Sequence, residues 1–372
     1  MIKSAYIHIP FCVKICTYCD FNKYFIQNQP VDDYLSCLIE EMSWVGKREL
    51  ETLFVGGGTP TALSVKQLER LLIAINDQFD IHGEYTFEAN PDELTEEKVA
   101  LLKRYGVNRL SLGVQTFDQK LLETLGRSHK REDIFKAVEN ARKYEIKSIS
   151  LDLMYHLPGQ TMAQLDNSLT EALSLHVDHI SSYGLILEKQ TQFYNLYQKG
   201  QLQLPDEDIG ADMYNFMVQK LEQHGMHQYE ISNFAKIGHA SEHNKVYWRN
   251  EEYFGFGAGA SGYVNGVRYT NINPVNHYID KVTHSTPPIL TETTPSLEER
   301  IEEEMFLGLR MNQGVDKERF AVKFGCVLDD YYKEEIDQLV QRHLITNSPT
   351  HIALTSKGRV MGNSVFEAFI KL

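Results

Sequence analysis

Three cysteines fall within eight residues of one another, as Cys12-Val13-Lys14-Ile15-Cys16-Thr17-Tyr18-Cys19. Soft thiolates select iron–sulfur clusters or zinc, and a loop this short can wrap three of them around one corner of a small cluster. Three is one too few for an ordinary four-cysteine cube, and one too few for a structural zinc. If the loop holds a [4Fe–4S] cluster, one iron keeps an open coordination position that a chelating amino and carboxylate group could fill. The alternative is zinc in a Cys3His site, with His8 at the end of the preceding apolar run as the fourth ligand. Three thiols gathered in an exposed loop have no packing rationale. Cys37 and Cys326 stand apart, a usage that fits a reducing compartment and a metal site better than a disulfide framework.

The elements that position this loop are legible as an alternation. Between residue 3 and about residue 225, short β-branched or aromatic runs alternate with longer segments of helical periodicity, the pattern of βα units in a parallel sheet. Six strands are expected at Ala5–Ile9, Thr52–Val55, Tyr85–Glu88, Arg109–Leu112, Ser148–Leu153 and His179–Tyr183. Helices are expected at Asp32–Trp44, Val65–Asp77, Glu96–Tyr105, Arg131–Tyr144, Met162–Leu175 and Asp206–Gln223. Right-handed crossovers then give an α/β fold, an open sheet or partial (β/α)6 TIM-like barrel spanning 1–225. The cysteine loop, Gly56-Gly57-Gly58-Thr59-Pro60, Glu88-Ala89-Asn90-Pro91, Gly113-Val114-Gln115-Thr116 and Asp152 each follow or close a strand. Sites in parallel α/β folds form at the carboxyl ends of strands, so these segments are expected to share one mouth.

Residues 226–285 change texture to short aromatic and glycine-rich stretches, expected as an antiparallel β extension. The proline-bearing stretch 286–296 has the composition of a linker. Residues 297–372 carry helical patterns at Leu297–Arg310, Lys317–Phe324, Val327–Arg342 and Val360–Lys371, with a β-hairpin over Ile345–Leu354: a small, mainly helical, winged-helix-like domain. The charge of −14 works against a nucleic-acid partner, whose affinity comes from clustered Lys and Arg. No apolar run is long enough to span a bilayer and the amino terminus does not read as a signal peptide, so a soluble cytoplasmic protein is expected.

The ordered set of motifs resembles the radical S-adenosylmethionine (SAM) superfamily. Within it, Tyr6-Ile7-His8-Ile9-Pro10-Phe11-Cys12 is similar to the branch that contains oxygen-independent coproporphyrinogen III dehydrogenase and its heme-chaperone relatives. The resemblance covers roughly residues 4 to 265 and implies a [4Fe–4S] cluster on Cys12, Cys16 and Cys19 with SAM on the fourth iron. It implies aromatic neighbours of cluster and cosubstrate at Tyr6 and Tyr18. It implies a backbone seat for the methionyl amino group at Gly57, Gly58 and Thr59, where a side chain would block close approach. Glu88 matches a carboxylate near the ribose or amino group, and Gln115, Arg127 and Asp152 match further contacts, Arg127 being suited to the methionyl carboxylate. Such a cofactor pair carries the electronic step itself, in which one electron splits the sulfonium and a 5′-deoxyadenosyl radical results.

Two departures count against coproporphyrinogen decarboxylation. The enzymes of this branch have a long extension before the cluster loop, and a fourth cysteine two residues after the third. Here Cys12 comes almost at the start and Phe21 occupies the cysteine position. The chaperone branch has an HNxxYW motif, intact here as His243-Asn244-Lys245-Val246-Tyr247-Trp248. It makes His243 a candidate axial ligand of heme, with Tyr247 and Trp248 as stacking partners. The resemblance therefore implies a protein that binds heme and passes it to an acceptor protein. The competing readings are a radical enzyme of porphyrin synthesis and a zinc-stabilised interaction protein.

Overall fold

Strict alternation sorts the first strand, β1 (Ser4–Ile9): Ala5, Ile7 and Ile9 are fully buried in the main hydrophobic core, while Tyr6 and His8 take the opposite face. The same core takes in Leu53 and Val55 of β2 (Arg48–Gly57) and Phe87 of β3 (Phe79–Ala89). It continues through Leu110 and Leu112 of β4 (Arg109–Gln115), Ile149 and Leu151 of β5 (Ser148–Tyr155) and Ile180 of β6 (His179–Gly184). Helices start where the sequence supplies caps. Ser64 and Thr161 each accept from the N–H three residues on, and Gln67 and Gln164 return the bond in a capping box. This computed structural model describes residues 1–371.

The six strands pair in parallel in the order β1 to β6, and the sheet continues at both ends. At the β6 edge the hairpin β7 (His227–Glu230) and β8 (Asn233–Ala235) adds antiparallel, β8 against β6. At the β1 edge β9 (Phe254–Phe256) adds in parallel, with Ala5, Tyr6 and Ile7 opposite Phe254, Gly255 and Phe256. The ends of the nine-strand order do not pair, so the barrel is incomplete. A flat sheet would hold β1 and β6 about 24 Å apart at roughly 4.8 Å per strand. One cavity is nonetheless lined by residues following both, which requires the sheet to curl.

The aromatic stretch divides between two sheets. Ser261–Val264, Val267–Asn271 and Ile289–Thr293 form a separate antiparallel sheet, but Phe254–Phe256 runs parallel to β1, because the chain returns along the one free edge of that strand. The segment expected as a linker contains Ile289–Thr293 as an exposed outer strand. Its prolines flank the strand at Pro288 and Pro295 instead of interrupting it, so the pairing N–H groups survive. The C-terminal domain has its own core, built on Ile301, Met305, Phe320, Ile336, Leu339 and Phe366. Its small sheet is ordered Val315–Asp316, His351–Leu354, Ile345–Asn347. Two expected helices are broken there: at Tyr332, whose ring enters the core between Leu328–Tyr331 and Lys333–Gln341, and at Met361, between Ser356–Val360 and Gly362–Glu367. No helix among the described residues is long and apolar enough to cross a membrane.

Candidate functional site

The cysteine loop leaves β1 at Pro10 and is pinned from three directions. Ile26 donates its N–H to the Cys12 carbonyl at 2.9 Å. Thr17 bonds the segment before Arg127, through its N–H to Leu125 O (3.1 Å) and its hydroxyl to Thr124 O (3.1 Å). Asn22 donates to Ala258 O (2.8 Å) and Asn273 O (3.1 Å) while its own carbonyl accepts from His8 Nε2 at 2.8 Å. The loop therefore presents Cys12, Cys16 and Cys19 to a single cavity of about 430 Å³.

Into the same cavity come Tyr18, Gly57, Gly58, Thr59, Glu88, Gln115, Arg127 and Asp152, so eleven of the thirteen residues singled out in the sequence meet there. The glycine turn is shaped by neighbours on both sides. A Cβ on Gly58 would sit 2.8 Å from Phe11 O and 3.0 Å from Cys12 Sγ, and Gly57 adopts φ +119° with His8 2.6 Å from where its Cβ would be. The Gly57 N–H donates to Glu88 Oε2 at 2.9 Å. At the end of β4 the register slips between Gly113 and Gln115, and Gln115 takes φ 66°, a bulge that places it in the cavity lining.

Arg127 is committed to the loop as well as to the cavity. Its Nη1 donates to Cys16 Sγ at 3.2 Å and its Nη2 to Asn90 Oδ1 at 2.7 Å and to the Gly113 carbonyl. Asn90 in turn donates to Thr59 Oγ1 (3.1 Å), whose hydroxyl faces Cys12 Sγ at 3.7 Å. Ser111 donates to both Asp152 oxygens, at 3.1 and 3.2 Å. Asn90 and Ser111 are additions to the set read from sequence. Asn90 stands two residues beyond Glu88, just past the end of β3, in the same post-strand segment that the sequence singled out. Ser111 meets Asp152 only through cross-strand register, which no local pattern carries.

The donor set fits the two groups implied by the motifs. Burial pushes the Cys12 thiol up to about 12 and raises Cys19 too, and a cationic partner such as iron would favour the thiolates there. Among the described residues no three His, Cys, Asp or Glu side chains gather as ligands of one metal ion would. A cubane makes no such demand, since each thiolate takes a different iron. The zinc alternative would need His8, whose nitrogens are both engaged, Nε2 with Asn22 O and Nδ1 with the Tyr6 hydroxyl at 2.9 Å. Burial, reinforced by Asp152, pushes Glu88 up to about 8, and burial pushes Asp152 up to about 6. A bound sulfonium with its ammonium group supplies the positive charge these carboxylates call for.

Two singled-out residues lie elsewhere. Tyr6 is outside the cavity lining, on the inner face of β1 beneath His8. His243 is fully buried on the short helix Glu242–Trp248, packed against β2. Its Nδ1 bonds Thr52 Oγ1 and its Nε2 the Tyr247 hydroxyl, both at 2.9 Å, and its ring stacks on Phe54 at 5.4 Å. Both His243 nitrogens are thus engaged within the fold, and the ring lies apart from the cysteine cavity. Its partners Thr52 and Phe54 stand nearly two hundred residues earlier, a contact the local sequence pattern does not show.

Comparison with known proteins agrees with this geometry. The family model described as the radical SAM superfamily matches residues 6–172, and that of the HemN C-terminal domain matches residues 296–361. Coproporphyrinogen III oxidase HemN of Escherichia coli superposes with a TM-score of 0.86, covering 99% of this chain and 90% of that one at 24% identity, a likeness of fold. The protein named heme chaperone HemW in Bacillus subtilis is 52% identical over 99% of both chains. The one so named in Lactococcus lactis is 46% identical over 99% of this chain and 97% of its own. With the cysteine loop, glycine turn and carboxylates meeting in one cavity, and with identity of this order running end to end, the chain belongs to the HemW family of the radical SAM superfamily.

Proposed function

We propose that this protein is a heme chaperone: it binds heme beside a SAM-bearing [4Fe–4S] site and releases it to an acceptor protein in the cytoplasm. The observation that carries the reading is the rim of the cavity. Phe21 is 66% exposed and Ile186 71% exposed, and Ile15, also exposed, lines the same cavity, so apolar surface stands beside a polar site. Lys14 and Lys23 line the same cavity. A flat apolar macrocycle with two carboxylates suits that combination, its face on Phe21, Ile15 and Ile186 and its propionates toward the lysines. A bound cluster and SAM would supply one-electron reductive chemistry. The chain's own contribution is to hold the thiolates, seat the cosubstrate on the glycine turn and keep Glu88 and Asp152 ready to take up positive charge. The printed names of the B. subtilis and L. lactis relatives support the same reading.

The test is heme titration of anaerobically reconstituted protein, wild type against Phe21→Glu/Ile186→Glu. The expected result is saturable binding by the wild type and at least about tenfold weaker binding by the double variant, since each buried apolar side chain is worth about 1.5–3 kcal/mol. A wild type that fails to bind heme would remove the proposal. Anaerobic incubation with coproporphyrinogen III and reductant separates it from the enzyme reading: stoichiometric protoporphyrinogen would move the assignment to a dehydrogenase.

A further inference from the structure

We infer that the HNxxYW helix positions the cluster loop from the far end of the sheet, through a column of side chains that runs up the inner face of β1 and β2. The helix Glu242–Trp248 is fixed at both ends. At its start Glu84 accepts three bonds, from Ser241 Oγ (2.9 Å), Glu242 N–H (2.9 Å) and His243 N–H (3.2 Å). At its finish the C-terminal domain takes hold: the Arg310 guanidinium lies 4.4 Å from the centre of the Trp248 ring, Arg319 donates to the Arg249 carbonyl, and Lys323 Nζ donates to the Asn250 carbonyl at 3.2 Å. The motif is thus the seam between the two cores.

From that seam the contacts continue without a gap. Tyr247 bonds His243, and the His243 ring stacks on Phe54 at 5.4 Å and 28°. Phe54 stacks on Tyr6 at 6.1 Å and 26°, and the Tyr6 hydroxyl bonds His8 Nδ1. His8 Nε2 reaches the carbonyl of Asn22, three residues past Cys19, and the His8 ring also backs Gly57. A carbonyl only accepts, so Nε2 carries the proton and Nδ1 accepts from Tyr6, which fixes the imidazole tautomer and face. His8 therefore sets the height of the cluster loop and of the glycine turn at once, and whatever shifts Tyr6 shifts both. Tyr6, His8 and His243 are positioning residues: none lines the cavity, and each acts through the next.

The column rests on the cluster-and-SAM site, not on heme. Its test uses full-length protein reconstituted anaerobically, with two readouts: the electron paramagnetic resonance signal of the reduced cluster with and without SAM, and the SAM dissociation constant. Tyr6→Phe and Trp248→Phe, each conservative enough to fold, are expected to change the signal and weaken SAM binding by about three- to tenfold at unchanged iron and sulfide content. Phe320→Leu, in the C-terminal core and off the column, is expected to leave both readouts at wild type even where it lowers the melting temperature as much. Column variants with wild-type signal and SAM affinity would overturn the inference. So would a His243→Gln protein that loses heme while its cluster signal stays unchanged, since that result makes His243 a heme ligand. Loss of heme binding by the rim variants alone leaves the column untouched.

Discussion

At the carboxyl ends of the parallel strands, Cys12, Cys19, Glu88 and Asp152 face one cavity, and burial holds all four above their ordinary pKa range. At the opposite end, Glu84, Thr52, His243 and Tyr247 are as polar, yet each is answered by another side chain or by the start of a helix. One end opens on a cavity that a ligand can fill, while the other is closed by a packed helix and does structural work. The difference lies in what the chain places opposite: a cavity above β1 to β6, and a capped helix below. Ionisable groups with shifted pKa gathered around a cavity mark where a ligand belongs.

The comparison is broken most directly by removing what the ligand would bind. Serine at Cys12, Cys16 or Cys19 is expected to abolish stable cluster incorporation, read as loss of iron, sulfide and visible charge-transfer absorption, with little change in the fold of the protein alone. Next in size is Gly58→Val, whose side chain would enter the space of Phe11 O and Cys12 Sγ. It should weaken SAM binding by about five- to a hundredfold in equilibrium titration, since overpacking of this kind costs about 1–3 kcal/mol.

At the packed end the effect falls on stability. His243→Ala leaves the Tyr247 hydroxyl and Thr52 Oγ1 each short of a partner and opens a void beside Phe54, an expected loss of about 2–4 kcal/mol in denaturant unfolding. The smallest effect sharpens the electrostatic contrast. Glu88 titrates higher folded than unfolded, so protein without ligands loses stability as pH rises from about 4.5 to about 8, and Asp152 adds the same sign up to about 6. Glu88→Gln should flatten the fall of melting temperature between pH 5 and 8. Buried Glu41, pushed up to about 7, keeps a residual slope of that sign. An unchanged slope would mean that Glu88 is ionised without its ligand.

The site was more legible than the packing beneath it. Cysteine spacing, the glycine run and Glu88 are local patterns, and each sits just after a strand, where a parallel sheet must gather them. Strand limits were less legible. Residues 79–84 extend β3 in partly exposed, polar sequence, Asp80, His82 and Glu84 included, because pairing along Arg48–Thr52 holds the segment, and pairing leaves no hydrophobic period behind. The same limit explains Phe254–Phe256, whose three residues carry no sign of direction, and His243, whose neighbours come from β2.

The amino-acid sequence by itself determined the α/β alternation, the three-thiolate loop, the family resemblance and the shared mouth, because these depend on residue type and on spacing along the chain. Only the tertiary structure decided that Asn90 and Ser111 join the site, that Tyr6 stands below it, and that His243 is sealed inside. Register, curl and domain contact bring residues together across large sequence separations, and a contact of that kind belongs to two distant stretches at once.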